Sequence, residues 1–314
     1  MICGICGNAD ANRTYEAREM MFGTRQAYPY FQCASCGCLQ IAEFPSDLSR
    51  HYPSGYPSFK PAIDRRFVNP VRNVFRIARY RYAVLNEGFF GRILCAIAPK
   101  EGLRFLSLVP LKSDSRVLDV GSGTGELLFL LRRIGMTELL GVDAFVEHTL
   151  DYPNGLKVLK GTIHDVTGEW DCVILSHSLE HMPDQVGTMQ AAAGLLAPGG
   201  CCLVRIPIVS WAWEHYGVNW AGLDAPRHFF LHSLKSFGLL VARAGLRVER
   251  TTHESTHLQF RGSELYARGI PLLSDRSEAR SVFTRAQLRE FRRQAEELNR
   301  QHRGDQATFY LHRK

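Results

Sequence analysis

Apolar and polar positions divide the chain into three stretches with different periodicities. From about residue 113 onward, short apolar runs alternate with longer segments of helical spacing. The runs predict strands at Arg116–Val120, Leu139–Val142, Lys157–Lys160, Asp171–Ser176, Cys201–Ile206, Arg247–Thr252 and Ala307–His312. Such alternation predicts an α/β fold, a Rossmann-like, doubly wound sheet of seven strands over residues 113–314. Near 276–303 a helical insertion precedes the last strand, with Leu288, Phe291, Ala295 and Leu298 on one face and Thr284 and Gln287 as a capping box. Residues 46–112 read as a connector. It opens on the irregular HYPSGYPSFKP and continues into a helix whose Val71, Val74, Phe75, Ala78 and Tyr82 share a face. Arg72, Arg76 and Arg79 form a second stripe. That stripe is either the solvated back of a packing helix, the preferred reading, or a basic surface for an anionic partner or membrane.

Residues 1–45 lack a core of their own and carry Cys3-Gly-Ile-Cys6 and Cys33-Ala-Ser-Cys36. Two such knuckles at this separation suit a zinc ribbon, with Cys3, Cys6, Cys33 and Cys36 as ligands and Cys38 as a stand-in. Four cysteine ligands leave no open coordination position, so the zinc is expected to be structural. Cys95, Cys172, Cys201 and Cys202 sit in apolar settings and read as small core residues.

Charge is unevenly spread. The net charge is +7 overall, and residues 61–116 hold eleven basic groups against four acidic, whereas residues 117–248 hold nine against thirteen. No apolar run is long enough to span a bilayer and no secretory leader is evident, so a cytoplasmic location is expected.

The turn Asp119-Val-Gly121-Ser122-Gly123-Thr-Gly125 follows a strand and opens a helix. Its glycines run G-x-G-x-G, and an acid precedes them. A carboxylate beside a pyrophosphate is a costly like-charge contact, so a cationic nucleoside such as S-adenosylmethionine (SAM) fits better. Asp143 follows the second strand eighteen positions after Gly125, where a carboxylate can accept the ribose hydroxyls, with Ala144 beside it.

With VLDVGSGTG, GVDA, WDCVILSHSLEHMPD and LLAPGGCCLVRIP in this order, the chain resembles the class I SAM-dependent methyltransferases. Within them it resembles a branch with an N-terminal zinc-binding module and a later D-x-P-R-H, here Asp224-Ala-Pro-Arg227-His228. That resemblance implies methylation, at oxygen or carbon, of a sugar, nucleotide-sugar or glycan. One departure stands out: Thr162 occupies the usual adenine-binding acid position. Adenine is then held at Thr162 and Ile163, or reached by Asp165. Ser176, His177 and Ser178 end the fourth strand and face the expected acceptor crevice, so Ser176 and His177 are also counted with the cofactor site. His228 is the first choice for general base, oriented by Asp224, since imidazole accepts a proton near neutral pH; His177 is the second. His181 reads as a helix-start residue bonded to backbone. Arg227 either binds a substrate phosphate or pairs with Asp224. The aromatics of 211–223 either line the acceptor pocket or cover the core. An RNA methyltransferase gripping phosphates through the zinc module and connector is the second reading, with nucleic acid less favoured. A non-catalytic SAM-binding scaffold is the third.

Overall fold

The computed structural model describes residues 1–47, 49–52, 70–97, 101–273 and 282–314. Most of the HYPSGYPSFKP loop and the start of the insertion lie outside the described residues. Three short strands come first: β1 (Arg13–Arg18), β2 (Ala27–Gln32) and β3 (Leu39–Ile41). Two helices follow, α1 (Pro70–Leu85) and α2 (Phe89–Ile97). The α/β part then runs β4 (Val117–Val120), α3 (Glu126–Arg133), β5 (Leu139–Asp143), β6 (Leu150–Asp151), β7 (Lys157–Lys160), β8 (Trp170–Ser176), α4 (Gln185–Leu195) and β9 (Leu196–Pro207). It continues through α5 (Trp211–Tyr216), β10 (Phe230–Leu231), α6 (Leu234–Arg243), β11 (Leu246–His253), α7 (Leu258–Ala267), α8 (Arg285–Arg300) and β12 (Gln306–Arg313).

All seven expected strands form, and the sheet has eight, in the order β11-β12-β9-β8-β4-β5-β7-β6. The eighth is the two-residue β6, antiparallel on the edge strand β7 and too short to leave a pattern in the sequence. The centre is parallel, and β12 runs antiparallel to both its neighbours. Buried parallel strands read as continuous apolar runs because both faces are covered. Successive residues alternate between the two cores: Val173 and Leu175 pack with one cluster, Cys172 and Ile174 with the other. Cys201 and Cys202 divide the same way, so Cys172, Cys201 and Cys202 are core residues.

Two expectations change. The cysteine segment does not stand apart as a module ending at residue 45. Its sheet has the order β1-β2-β3-β10, with Gln40 paired to Phe230 and Leu39 to Leu231, and its core is continuous with that of the large sheet. A segment without enough core of its own borrows one. On α1, Val74 and Phe75 of the expected packing face are exposed, while Ala78 and Tyr82 of that face are half-buried, as are Arg76 and Arg79; Arg72 is exposed as expected. Inward packing falls to the end of the helix, where Val84 and Leu85 are buried. The α8 capping box forms as expected, with the Thr284 and Gln287 side chains bonding each other's backbone N–H.

Candidate active site

The glycine turn lies at the carboxyl end of the central strand. Gly121, Gly123 and Gly125 all have positive φ, of 74°, 55° and 83°. A Cβ at Gly121 would stand 2.4 Å from that of Ser178, whose hydroxyl donates to the Val120 carbonyl. The turn is held from the neighbouring strand: Asp143 accepts from Gly123 N–H with one carboxylate oxygen and from Phe145 N–H with the other, both at 2.8 Å. Each oxygen keeps a lone pair for a further donor. Asp119 is buried at the end of β4. Burial and then the charge of Asp143 push its carboxyl up to about 7. Two carboxylates this close together in a buried pocket suit a ligand with fixed positive charge, and SAM carries an ammonium and a sulfonium. The residues fit that cofactor.

At the expected adenine position, Ile163 is buried and Thr162 exposed. Asp165 turns back onto its own turn, accepting from both the N–H and the hydroxyl of Thr162. Its carboxylate is thus engaged within the turn. Ala144 is exposed beside Asp143.

Beyond the end of β8, three histidines surround one carboxylate. Glu180 is fully buried, and neither of its oxygens has a hydrogen-bond partner among the described residues. His177 Nδ1 lies 3.6 Å from it and His228 Nε2 4.0 Å. Burial works to raise the Glu180 carboxyl, but the His177 contact and the charges of His181 and His228 outweigh this and hold it low, at about 2. His181 Nδ1 lies 2.8 Å from the Arg227 carbonyl, and His228 Nδ1 2.8 Å from the Gly222 carbonyl. A carbonyl only accepts, so both Nδ1 atoms carry the hydrogen. In each neutral ring the basic lone pair is then on Nε2. Burial, then the charge of His228, lowers His181 to about 4, so it is neutral at pH 7. His181 is backbone-bonded, as read from the sequence.

Asp224 departs from the expected role. Its carboxylate is taken by Arg227, with Nε to Oδ2 at 2.9 Å and Nη2 to Oδ1 at 2.5 Å, and it stands 3.9 Å from His228 Nε2. Gly222, not Asp224, orients the ring. Arg227 is wholly buried and also bonds Glu19 at 3.1 Å, so it is a strut to the N-terminal segment rather than a phosphate ligand. Ser176 is held by Arg205 Nη1 at 3.1 Å, and His177 sits in the left-handed region at φ 55°, half-exposed. The aromatics of 211–223 cover the core: Trp220 is buried on Asp305, and Trp213 bonds Gln32 and meets Tyr15 edge to face.

The cysteine segment supports this same loop. Tyr30 Oη donates to the His228 carbonyl at 2.8 Å, and Ile41 N–H to the Phe229 carbonyl. The Sγ atoms of Cys3, Cys6, Cys33 and Cys36 all lie within 4.8 Å of one another, with Cys3–Cys36 at 3.6 Å and Cys6–Cys33 at 3.5 Å. Tetrahedral Zn–S bonds of about 2.3 Å place sulfurs about 3.8 Å apart, so the donor set fits zinc. Gln40 Nε2 donates to Cys3 Sγ at 3.1 Å, a supporting contact of the kind that surrounds metal ligands. Cys38 stands outside the cluster, its thiol toward the Leu39 carbonyl.

A family model described as a methyltransferase domain matches residues 93–251. The chain belongs to this methyltransferase family. The matched residues include the glycine turn and the parallel centre of the large sheet. Ubiquinone biosynthesis O-methyltransferase of Vibrio parahaemolyticus is 33% identical to this methyltransferase over 96 residues, 27% of this chain and 40% of that protein. The Xanthomonas campestris protein of that name is 32% identical over 97 residues, with the same coverage. The methyltransferase thus spans less than half the length of these curated relatives. Among solved structures it is similar to CalO1, a methyltransferase in calicheamicin biosynthesis, with 22% identity over 54% of this chain and 53% of that one and a TM-score of 0.39. It is also similar to the mycolic acid cyclopropane synthase CmaA1, with 14% identity over 78% and 99% and a TM-score of 0.44.

Glu180, Glu19, Tyr30 and Gln40 are the site residues that sequence reasoning missed. Glu180 adjoins His181 in the quoted SHSLEHMPD, and an acid between two histidines was the available signal. The other three act through contacts that leave no local pattern.

Proposed function

We propose that this methyltransferase transfers the methyl group of SAM to an oxygen or an activated carbon of a hydroxyl-bearing small molecule, a sugar or nucleotide-sugar by preference, with His228 as general base. One observation carries the reading: a buried carboxylate with both oxygens unpartnered, Glu180, beside the Nε2 lone pair of His228. An acceptor with neighbouring hydroxyls satisfies both, donating one hydroxyl to Glu180 and presenting another to His228. The polyol character of a sugar meets that need better than a single phenol does.

Asp119, Asp143 and the glycine turn would hold SAM, with Thr162 and Ile163 at the adenine side. SAM supplies an electrophilic methyl whose bonding pair departs with sulfur. The acceptor proton passes to His228 Nε2. The imidazolium so formed is balanced by Glu180 at 4.0 Å and Asp224 at 3.9 Å. His177, half-exposed at the rim, helps hold the acceptor. The four cysteines bind zinc in a structural role and so fix the loop that carries His228.

The test uses methyl-labelled SAM with cell extract divided into nucleotide-sugars, lipid-linked glycans, phenolic small molecules and RNA. Label is expected in a carbohydrate fraction, and His228→Gln should lower turnover by about 10²–10⁴-fold while leaving the SAM dissociation constant within about twofold. Label confined to phenols or RNA would overturn the sugar assignment, and full turnover in His228→Gln would overturn the base.

A further inference from the structure

Helices α1 and α2 form a hairpin whose outer side faces solvent with large apolar residues. On α2, Phe89, Ile93 and Ile97 recur every four residues and are 78%, 42% and 78% exposed; Phe90 beside them is 47% exposed. On α1, Val74 and Phe75 are exposed, and the Phe75 and Phe90 rings meet at 5.5 Å. The patch is therefore continuous across both helices. It is also firmly rooted. Arg81 bonds the Ile134 carbonyl and Glu87, Val84 and Leu85 are buried, and Gly91 sits so close to Ala78 that a Cβ would be 2.2 Å from its carbonyl oxygen.

The described helices of the patch carry a net positive charge in their sequence. Residues 70–97 contain five arginines and a single acid, Glu87, which pairs with Arg81. Arg72, Arg76 and Arg79 line, with Phe75 and Tyr80, a cavity of about 330 Å³ at the edge of the patch. Arg92 is exposed among the apolar residues of α2. An apolar face bordered by arginines is the chemistry of a helix lying at a lipid–water boundary, where aromatic and aliphatic side chains enter the acyl layer and cations meet anionic headgroups. A nucleic acid would leave Phe89, Ile93 and Ile97 without a partner.

We propose that the outer face of α1 and α2 docks the enzyme on an anionic bilayer surface, with Phe89, Ile93 and Ile97 inserted and Arg92 at the headgroup phosphates. The proposal is independent of which acceptor is methylated. The test is co-sedimentation of the full chain with phosphatidylcholine vesicles, with and without phosphatidylglycerol. Binding is expected to the anionic vesicles, weakening as salt rises. Phe89→Ser with Ile97→Ser should lower the partition coefficient by at least about tenfold and Arg92→Glu by several-fold. Unchanged SAM binding by both variants establishes that they are folded. Failure of the wild type to sediment with anionic vesicles, equal binding to neutral ones, or an unaffected double variant would overturn the proposal. So would a lipid-independent dimer that the double variant dissociates, which would assign the face to a second copy of the chain.

Discussion

In the proposed SAM site, Asp119 is expected to connect cofactor affinity to pH, and the size of the effect follows from its surroundings. Its carboxyl is raised from the usual 3.8 to about 7 by burial and by Asp143. In the free enzyme it therefore holds a proton below neutrality. A cationic cofactor favours the ionised form, so its binding expels that proton and weakens as pH falls. With a free-enzyme value near 7 and a bound value well below 5, SAM affinity drops about tenfold per pH unit on the acid side, and by roughly 90-fold between pH 8 and pH 5. Folding stability has the opposite sign. A carboxyl whose folded value lies above its unfolded one stabilises the fold fully only below 3.8. That contribution is lost progressively as pH rises, until the folded group ionises near 7. Its full span is roughly 4 kcal/mol at 1.36 kcal/mol per pH unit. Asp119→Asn should therefore raise the free enzyme's stability to urea at pH 8 by up to about that amount, while removing most of the pH dependence of SAM binding. Calorimetric titration with SAM at several pH values, in buffers of different ionisation enthalpy, measures both affinity and proton release. SAM affinity that is flat from pH 5 to 8 in the wild type, or a pH profile in Asp119→Asn that matches the wild type, would refute the reasoning.

Cys33→Ser should abolish stoichiometric zinc. Because the cysteine segment buttresses His228, turnover should fall at least about tenfold with less than threefold change in SAM affinity; metal analysis, turnover and calorimetry on one preparation check this. Tyr30→Phe leaves the His228 carbonyl without its donor, which should cost about 1–3 kcal/mol of stability. It should lower kcat more than it alters SAM binding, as read by thermal melts and steady-state kinetics.

The large sheet was legible because its strands are buried on both faces, so Val117–Val120 and Val173–Leu175 appear as apolar runs that need no partner to be recognised. The glycine turn was legible because its backbone requires glycine, at 74° in Gly121 and 83° in Gly125. Two-residue strands carry no periodicity, and Phe230–Leu231 lies in a stretch whose apolar character suits any core. Its pairing with Leu39 and Gln40 is a long-range choice. The pairing of Arg227 with Asp224 was one of two readings open in the sequence, and Glu19, more than two hundred positions away, completes the group without a local sign. The outward turn of Phe75 could not be read from period alone, because a period fixes which residues share a face and not which way the face looks.

The joining of β3 to β10 also sets a timetable for synthesis. Roughly 190 residues separate Ile41 from Phe230. At about 5–20 residues per second the ribosome takes about 10–40 s to deliver the second strand after the first. For that interval the cysteine knuckles are already outside, able to take metal, while the outer edge of β3 has nothing to pair with. An open strand edge invites other chains. The four-cysteine cluster is thus free to assemble early on an unfinished sheet, which the histidine loop closes roughly 190 residues later.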